Sequence, residues 1–451
     1  MDTQSNQLRV EFTKADLRRL IVPLVIEQLL SITVGLSDSL MVSQVGEAAI
    51  SAVSLVDTVN VLLVNAFASL ATGGAVITGQ YLGRREVGKA GHSAQQLLLF
   101  MAEVSLAVMV LFYLGKGFVL NVVFGQVEAD VAAYANTYYM IVEASIPFLA
   151  LYSAGAALFR VMGNSGTSMW ESTAMNAINV VGNGLLIFVF HRGVEGVAIP
   201  TLVSRIFAAA AMLVLLRRPN LPIQVERFTF RHDRFVVKNI LHFGVPNGIE
   251  GSMFQLGKIL LLSTVSVLGT AAVAANAIGN TLASFQVVPG TALGLAIVTV
   301  VSRCVGASEY DRARYYTKKM MRTAYLYTVL VIALILACLP LILKLYNVSD
   351  QAREWATQIL WMHGLCGILI WPLAFTLPQA LRAAGDTRFT MVASTVSMWT
   401  LRVGLGVLLG RYWGFGVLGI WMAMFIDWLV RVLFFVPRFR GHKWESMGLR
   451  D

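Results

Sequence analysis

The sequence predicts an all-α polytopic membrane protein with twelve transmembrane helices in two parallel six-helix repeats. Three observations support this fold class: an apolar composition, a set of long hydrophobic runs, and an internal repeat. Of the 451 residues, 57% are hydrophobic and only 13% are charged, and the mean hydropathy is +0.69. These values lie well outside the range of soluble globular domains.

Residues 23–86 align with residues 246–309 at an offset of 223 residues without a gap. The offset pairs Pro23 with Pro246 and Glu27 with Glu250. Further matched positions are Val42-Ser43 with Val265-Ser266, Gly46 with Gly269, and Gly83-x-x-Glu86 with Gly306-x-x-Glu309. A duplicated membrane protein with ionisable groups near the start of each half indicates a transporter rather than an enzyme or a receptor.

Twelve apolar runs are long enough to cross about 30 Å of hydrocarbon, which needs roughly 20 residues each. We expect them to be helical because an open sheet cannot satisfy its backbone hydrogen bonds in lipid. The first six lie near 20–43, 52–78, 95–120, 132–158, 168–190 and 194–216. The second six lie near 240–267, 273–301, 323–345, 355–381, 390–410 and 415–437.

Basic residues cluster in every other connection between these runs. The clusters are Arg9, Lys14, Arg18 and Arg19; Arg84, Arg85 and Lys89; Arg217 to Lys238; Arg312 to Arg322; and Arg438, Arg440 and Lys443. The positive-inside rule then places both termini in the cytoplasm. An even number of spans per half makes the repeats parallel, related by a pseudo-two-fold axis along the membrane normal. The net charge of +10 is thus explained by membrane topology. We do not expect nucleic-acid binding, because the sequence has no basic stripe interleaved with aromatic residues outside the membrane segments.

A polar, basic and proline-containing segment, 217–234, separates the two halves. We therefore predict an N-terminal six-helix lobe at 1–216, a cytoplasmic linker at 217–234 and a C-terminal six-helix lobe at 235–451. No cleavable signal is visible, because the first sixteen residues are polar and no A-x-A-like site follows the first apolar run. We expect a monomeric, multi-pass protein of the plasma (inner) membrane.

Several classes of chemistry find no support in the sequence. Three cysteines give no disulfide framework, and six histidines lack the spacing of a transition-metal site. No phosphate-binding loop with the G-x-x-x-x-G-K-[ST] pattern is present, so energy should come from an ion gradient, although a separate ATPase partner remains open. The sequence also lacks a nucleophile–base pair at helical spacing, which a membrane-embedded enzyme would need. We therefore expect no cofactor apart from a coupling ion, sodium or a proton.

Acidic residues inside the first predicted span carry the functional argument. Glu27 and Asp38 are eleven residues apart, which on a helix returns to within about 20° of the same face at a distance of roughly 16 Å. Ser31 lies between them on that stripe. A charge at mid-helix costs about 2.5 to 3.5 kcal/mol on insertion scales, so such groups usually face a cavity or a partner.

The structural alternative is an ion pair with another charge inside the membrane. The intramembrane cations that could supply it are Lys258, Arg205 and Arg402. For Asp38 we favour the functional interpretation over such a pair. For Glu27 and Glu250 both interpretations remain open.

Acidic groups are concentrated in the N-terminal half. The repeat offset aligns Asp57 of the second span with Asn280, and Asp38 with Leu261. Asp38 and Asp57 therefore have no acidic counterpart at the aligned positions of the C-terminal half. A cation site in the N-terminal lobe is the consequence that we draw.

The fifth span carries an amide ladder at i, i+3 and i+7, formed by Asn176, Asn179 and Asn183. Its carbonyl oxygens could bind a cation. Hydrogen bonding between helices is an equally good explanation. In the last span, Asp427 and Arg431 are four residues apart and are expected to satisfy each other.

The chain resembles the multidrug and toxic compound extrusion (MATE) transporter family over nearly its whole length. The residues that carry the resemblance are Pro23 and Glu27 before Asp38-Ser-Leu-Met-Val-Ser-Gln-Val-Gly46, the segment Gly79-Gln-Tyr-Leu-Gly83, Arg160-Val-Met-Gly163-Asn164 with Arg382-Ala-Ala-Gly385-Asp386, and Gly193-x-x-Gly196 with Gly416-x-x-Gly419. The resemblance implies two six-helix lobes around a central cavity and alternating access. It also implies export of varied, often cationic organic compounds in exchange for sodium ions or protons.

Residue by residue, the resemblance places Asp38 at the acidic position that such transporters use for cation coupling, and Asn179 at a polar position on the fifth helix. Asn183 departs from the pattern, because many relatives have Asp there. Glu250 is similar to the acidic or amide position on the seventh helix. His363 stands where some sodium-coupled relatives place a carboxylate, so both coupling ions remain open.

Our working hypothesis is a coupling-cation site centred on Asp38. Its residues are Asp38, Asp57, Asn176, Asn179 and Asn183, with sodium, if it couples, held by Asp38, Asn179 and Asn183. The residues that we assign to the substrate cavity are Glu27, Ser31, Glu250, Lys258, Asn280 and His363. Replacing Glu27 or Glu250 by Gln should weaken the binding of cationic substrates.

Two other functions compete with efflux transport, and each predicts a different sequence feature. A lipid-linked oligosaccharide flippase can share this architecture but should have an Arg-rich central cavity, and this chain offers only Arg205, Arg402 and Lys258. A membrane receptor or scaffold would be favoured by large extramembrane domains, which the sequence does not contain. We therefore place efflux transport first and the flippase second.

Overall fold

The computed structural model describes residues 10–125, 127–223, 225, 231–346 and 348–449. Within these ranges the chain forms helices and no strand, as the fold class predicts. Part of the predicted linker, residues 224 and 226–230, and the basic residue Arg9 lie outside the described ranges. The chain divides into two compact units, Thr13–Gly248 and a second unit of Met1–Phe12 with Ile249–Asp451.

The described residues of the unit Thr13–Gly248 form eight helices and the beginning of a ninth. They are α1 Lys14–Ser43, α2 Glu47–Gly83, α3 Val87–Leu114, α4 Lys116–Phe118, α5 Ala129–Glu143, α6 Ile146–Val161, α7 Ser165–Gly184, α8 Glu195–Leu215 and α9 Arg234–Ser266. π-helical segments at Val119–Val123 and Leu185–Val189 extend α4 and α7. Within the unit, α2 packs against α3, α5 and α6, and α7 packs against α1 and α8.

In the second unit, the described residues form the rest of α9 and seven further helices. They are α10 Thr270–Gln286, α11 Val288–Gly306, α12 Tyr310–Lys344, α13 Asp350–Leu369, α14 Pro378–Ala383, α15 Thr387–Ser397 and α16 Gly416–Arg440. π-helical segments lie at Pro372–Thr376, Met398–Leu405 and Leu408–Tyr412, and a 3-10 turn at Lys443–Ser446. The division of the chain into the two units falls within α9, between Gly248 and Ile249. The sequence places the lobe boundaries at 216 and 235, and those lobe boundaries stay a prediction.

The number of membrane-crossing helices is close to the predicted twelve. In the described residues, nine helices are long and apolar enough to cross a bilayer, and two bent pairs raise the total to eleven. The bent pairs are α5 with α6, at 46°, and α13 with the segment Pro372–Ala383, at 59°. The remaining predicted span, near 240–267, corresponds to α9, which has 33 residues. It carries Glu250 and Lys258, which lower its apolarity, so the count of twelve stays a prediction.

Local backbone geometry follows the repeat. Gly46 and Gly269 precede α2 and α10 with φ of 132° and 100°, a region that favours glycine. Their spacing is the offset of 223 read from the sequence. A capping box starts α1, because Thr13 Oγ1 accepts from the Asp16 amide at 3.1 Å and Asp16 Oδ2 accepts from the Thr13 amide at 2.9 Å. The starts of α1, α2 and α10 are therefore marked by residues within a few positions of each start.

A close approach between α2 and α9 leaves no room for a side chain at Gly73. A Cβ atom there would lie 2.6 Å from the Gly244 nitrogen and 2.8 Å from its Cα. We expect Gly73→Val to lower the apparent Tm in detergent, because backbone atoms cannot move aside as a side chain can. Overpacking of this kind costs about 1–3 kcal/mol.

The control for this prediction is Gly35→Val in α1, where nothing lies within 4 Å of an added Cβ. That variant should keep the Tm of the wild type within a small margin. Equal Tm values for the two variants would show that the approach of α2 to α9 is looser than described.

Candidate functional site

A hydrogen-bonded chain connects Asp38 of α1 to the amide ladder of α7. The side-chain nitrogen Nδ2 of Asn183 donates to Asp38 Oδ1 at 2.8 Å and to Asn179 Oδ1 at 3.2 Å. Asn183 is fully buried and Asn179 nearly so. Because α1 packs along α7, the predicted residues of two distant segments meet at one point.

The hydrogen bonds continue into α8 through Thr201, a residue that the sequence did not single out. Asn179 Nδ2 donates to Thr201 Oγ1 at 3.1 Å, and Thr201 Oγ1 donates to the Val197 carbonyl at 2.9 Å. Thr201 therefore fixes the Asn179 amide, and Asn179 fixes Asn183. A hydroxyl in the sixth span was the only sequence signal, and it is a weak one, because Thr is common in membrane helices.

One oxygen of this cluster has no partner. Asn183 Oδ1 is buried and accepts no hydrogen bond. Among the described residues, Asp38 forms no ion pair with any Lys or Arg, so the structural alternative considered for it is absent there. A carboxylate and an unused amide oxygen on neighbouring helices are the ligands that a hard cation prefers, and the carboxylate can also hold a proton.

Asp57 of α2 lies close enough to Asp38 for the two carboxyl groups to interact electrostatically. Its Oδ1 accepts from the Tyr138 hydroxyl of α5 at 3.2 Å. Arg205 of α8 is within electrostatic range of Asp57, but its Nη1 donates to the Ser145 hydroxyl at 2.6 Å. Asp57 therefore lies near Asp38, as the hypothesis requires, and it accepts a hydrogen bond from Tyr138, which the sequence did not single out.

Asn176 is the one member of the predicted cation site without such a contact. It lies on α7 one turn before Asn179 and is half-buried. Within the described ranges its side chain makes no hydrogen bond to Asp38, Asn179 or Asn183. The ladder at i, i+3 and i+7 thus contributes its last two amides to the cluster.

Glu27 and Glu250 occupy equivalent ion pairs in the two units. Arg160 Nη2 lies 3.2 Å from Glu27 Oε1, and Ser168 Oγ donates to Glu27 Oε2 at 3.0 Å. Arg382 Nη2 lies 2.6 Å from Glu250 Oε1. Both arginines belong to the repeated Arg-x-x-Gly motif. The charge of each carboxylate is compensated within its own unit, by partners other than the cations that we considered from the sequence.

Two further acids of the unit Thr13–Gly248 are buried. Glu171 of α7 is 5% exposed and neither carboxyl oxygen has a hydrogen-bond partner; it lies within electrostatic range of Glu27. Glu143 of α5 is fully buried and equally unpartnered, near Arg205. Glu143 is recognisable in the sequence as an isolated acid inside an apolar run, and Glu171 could have been found by the same signal.

The remaining residues assigned to the substrate cavity have different environments. Ser31, Lys258 and Asn280 are exposed. His363 is only 3% exposed, hydrogen-bonded through Nδ1 to Gln286 Oε1 and enclosed by aromatic rings, including Trp428 at 5.3 Å between ring centroids. A side chain so enclosed does not line an open cavity in this structure.

The pairing of Asp427 with Arg431 is confirmed. Arg431 Nε donates to Asp427 Oδ1 at 2.9 Å, and the two side chains are almost completely buried. Ser397 Oγ donates to the same carboxylate oxygen at 2.5 Å, and Arg431 Nη2 donates to the Ser394 carbonyl at 3.1 Å. The pair therefore connects α16 to α15 inside the second unit.

Repeated apolar helices and an intramembrane acid without an ion pair to Lys or Arg among the described residues are typical of membrane transporters. Comparison with known proteins identifies the family. The sequence matches the MatE family model over residues 23–185 and 246–408. The two matches begin 223 residues apart, which is the offset of the internal repeat. The chain belongs to the MATE family of transporters.

Curated relatives are similar over most of their length. The uncharacterized transporter YisQ of Bacillus subtilis is 26% identical over 436 residues, covering 95% of this chain and 94% of the relative. The probable multidrug resistance protein YoeA of the same organism is 27% identical over 415 residues, covering 89% and 88%. These identities, spread over both repeats, agree with the match to the family.

A solved structure confirms the fold. The outward-facing conformation of a multidrug resistance MATE family transporter of the MOP superfamily superposes with a TM-score of 0.90. The superposition covers 98% of each chain at 18% sequence identity. At that identity the likeness establishes the fold, and the two-repeat helical architecture expected from the sequence is confirmed.

Proposed function

We propose that this chain is a secondary active multidrug efflux transporter, which exchanges organic and often cationic compounds for sodium ions or protons by alternating access. The observation that carries the proposal is the Asp38 cluster, where a carboxylate without an ion-pair partner lies beside the unused Asn183 amide oxygen. Membership of the MATE family and the multidrug resistance relatives support the choice of organic substrates.

In this mechanism Asp38 binds the coupling cation in the outward-open state. For sodium, Asn183 supplies its free Oδ1, Asn179 supplies a second amide oxygen, and the Thr201 hydroxyl holds Asn179 in place. For a proton, the Asp38 carboxylate is the group that accepts it. In both cases the negative charge of the cluster changes when the cation binds.

That change in charge is how we connect ion binding to substrate release. A cationic substrate is held more weakly once the net negative charge of the transport pathway has been reduced. Bound cation and substrate are therefore thermodynamically linked, and the linkage must be reciprocal. No step requires ATP or another cofactor.

The test is efflux of a fluorescent organic cation from proteoliposomes that contain the purified protein. A sodium gradient and a proton gradient are imposed separately, each with the other ion at equilibrium. Efflux under one gradient alone supports antiport and identifies the coupling ion. No efflux under either gradient contradicts the proposal and favours the lipid-linked oligosaccharide flippase.

We also propose that the protein is a monomer of the plasma membrane with both termini in the cytoplasm. The alternating distribution of Lys and Arg supports this orientation. Impermeant thiol labelling of cysteines introduced at Ser446 and at Asp130 tests it in intact cells. Ser446 should react only after permeabilisation, and Asp130 should react before it.

Substitution of Glu27 or Glu250 by Gln is expected to raise the half-saturation concentration for cationic substrates several-fold. Loss of the carboxylate removes one negative charge beside Arg160 or Arg382, so this part of the protein becomes more positive and binds a positively charged compound less well. The measurement is the concentration dependence of dye efflux for each variant. The matched control is Glu128→Gln, an exposed acid before α5. An unchanged half-saturation concentration in both variants would contradict this prediction.

A further inference from the structure

The second unit contains an arginine whose charge has little compensation. Arg402, in the π-helical segment Met398–Leu405, is only 8% exposed. Its Nη2 donates to Met424 Sδ at 2.9 Å, its guanidinium carbon lies 4.9 Å from the centroid of the Phe254 ring, and its Nε has no hydrogen-bond partner. A thioether and an aromatic face are weak substitutes for water around a guanidinium with five N–H donors.

Lys258 places a second positive charge beside Arg402. It follows Phe254 by one turn of α9, so the two side chains share a helix face. At Gly257 an added Cβ would fall against Met398 and Val403, so α9 lies directly against the segment that carries Arg402. Arg402 and Lys258 are within electrostatic range of each other, and the lysine side chain is exposed.

The nearby acid does not balance these charges. Asp427 is within electrostatic range of Arg402, but it already pairs with Arg431 at 2.9 Å. His363 also lies within range of Arg402. In the part of this unit that the structure describes, neither Lys258 nor Arg402 forms an ion pair with Asp or Glu. Arg402 therefore shares the Asp427 carboxylate with Arg431.

We propose that Lys258 and Arg402 form a subsite for the carboxylate of an organic substrate, with Phe254 contacting the apolar body of the same molecule. This inference rests on the proposed export function and specifies its substrate class. Planar guanidinium and carboxylate groups form paired, charge-assisted hydrogen bonds, so an aromatic carboxylate satisfies the donors that the protein leaves free. The two cations therefore distinguish a compound with a free carboxylate from its ester.

The probe is a matched pair of dyes: rhodamine B, a xanthene zwitterion with a free carboxylate, and its ethyl ester, which is the corresponding cation. Binding to the full-length protein in phosphatidylcholine vesicles is measured by fluorescence anisotropy. We expect the ratio of the ester Kd to the acid Kd to fall about tenfold in Lys258→Gln and to be kept in Lys258→Arg. Arg402→Gln should lower the ratio further, and Lys258, being exposed, gives the test if Arg402→Gln does not fold.

The result that overturns the subsite is an unchanged ratio in Lys258→Gln while the wild type still exports both dyes under an ion gradient; the proposed function would then stand alone. Binding of neither dye by the wild type would overturn both proposals. Repeating the titration with added phosphatidylglycerol separates a substrate carboxylate from a lipid phosphate. A Lys258 effect that appears only with the anionic lipid assigns the two cations to a lipid headgroup and also overturns the subsite.

Discussion

Asp38→Asn is expected to abolish uphill, gradient-driven efflux while leaving the protein folded. The amide keeps the shape of the side chain and can still accept from Asn183 Nδ2, which is 2.8 Å from Asp38 Oδ1 in the wild type. It cannot exchange a proton, and it removes the negative charge that binds sodium. Proteoliposome efflux should fall to the rate of protein-free vesicles under both gradients.

The control for Asp38→Asn is Asp130→Asn, which removes one carboxylate from an exposed position in the first turn of α5. Asp130→Asn should transport like the wild type, and both variants should elute as the same monodisperse species. Counterflow exchange of labelled dye, which needs no ion gradient, separates lost coupling from lost substrate binding. Full uphill transport by Asp38→Asn would exclude this carboxylate as the coupling group.

Arg431→Leu is expected to cause the largest loss of stability among single substitutions considered for this protein. Removal of the guanidinium leaves Asp427 fully buried without its charge partner, and Asp427 Oδ2 already lacks a hydrogen bond. Breaking a buried pair in this way costs about 3–5 kcal/mol. The apparent Tm of the detergent-solubilised protein, followed by size-exclusion chromatography after heating, should fall by many degrees.

A double variant separates charge from packing in this prediction. Asp427→Asn with Arg431→Gln keeps hydrogen-bonding groups near Ser397 and Ser394 but removes both charges, so it should recover much of the lost Tm. The matched control is Arg411→Leu, which removes an exposed arginine of the same unit. A Tm of Arg431→Leu equal to that of Arg411→Leu would mean that the pair contributes nothing measurable.

The features of the internal repeat could be predicted because they depend only on the spacing of residues along the sequence. The offset of 223 reappears in the family match, in the two glycines with positive φ, and in the paired positions Glu27 and Glu250. Apolar length also predicts helices in lipid, since backbone groups there must be satisfied within the segment. The bends of 46° and 59° were not predictable in size, because packing sets them.

Partners of the polar side chains were less predictable. Asp38 and Asn183 are 145 residues apart in the chain, and Glu27 and Arg160 are 133 apart. The sequence suggested that these residues matter, but an acid and several basic groups in apolar runs can be paired in many ways. The hydrogen bonds of Tyr138 and Thr201 to the cluster could not be predicted, because a single hydroxyl inside a membrane helix has many ordinary explanations.

By itself, the sequence determined the membrane environment, the helical fold, the duplication and the family, since each depends on composition or on spacing along the chain. The tertiary structure decided which charges are compensated. Glu27 and Glu250 have arginine partners, Asp38 has an amide, and Arg402 has a thioether and a ring. The physical reason is that the energy of a buried charge depends on atoms within a few ångströms, which only folding brings together.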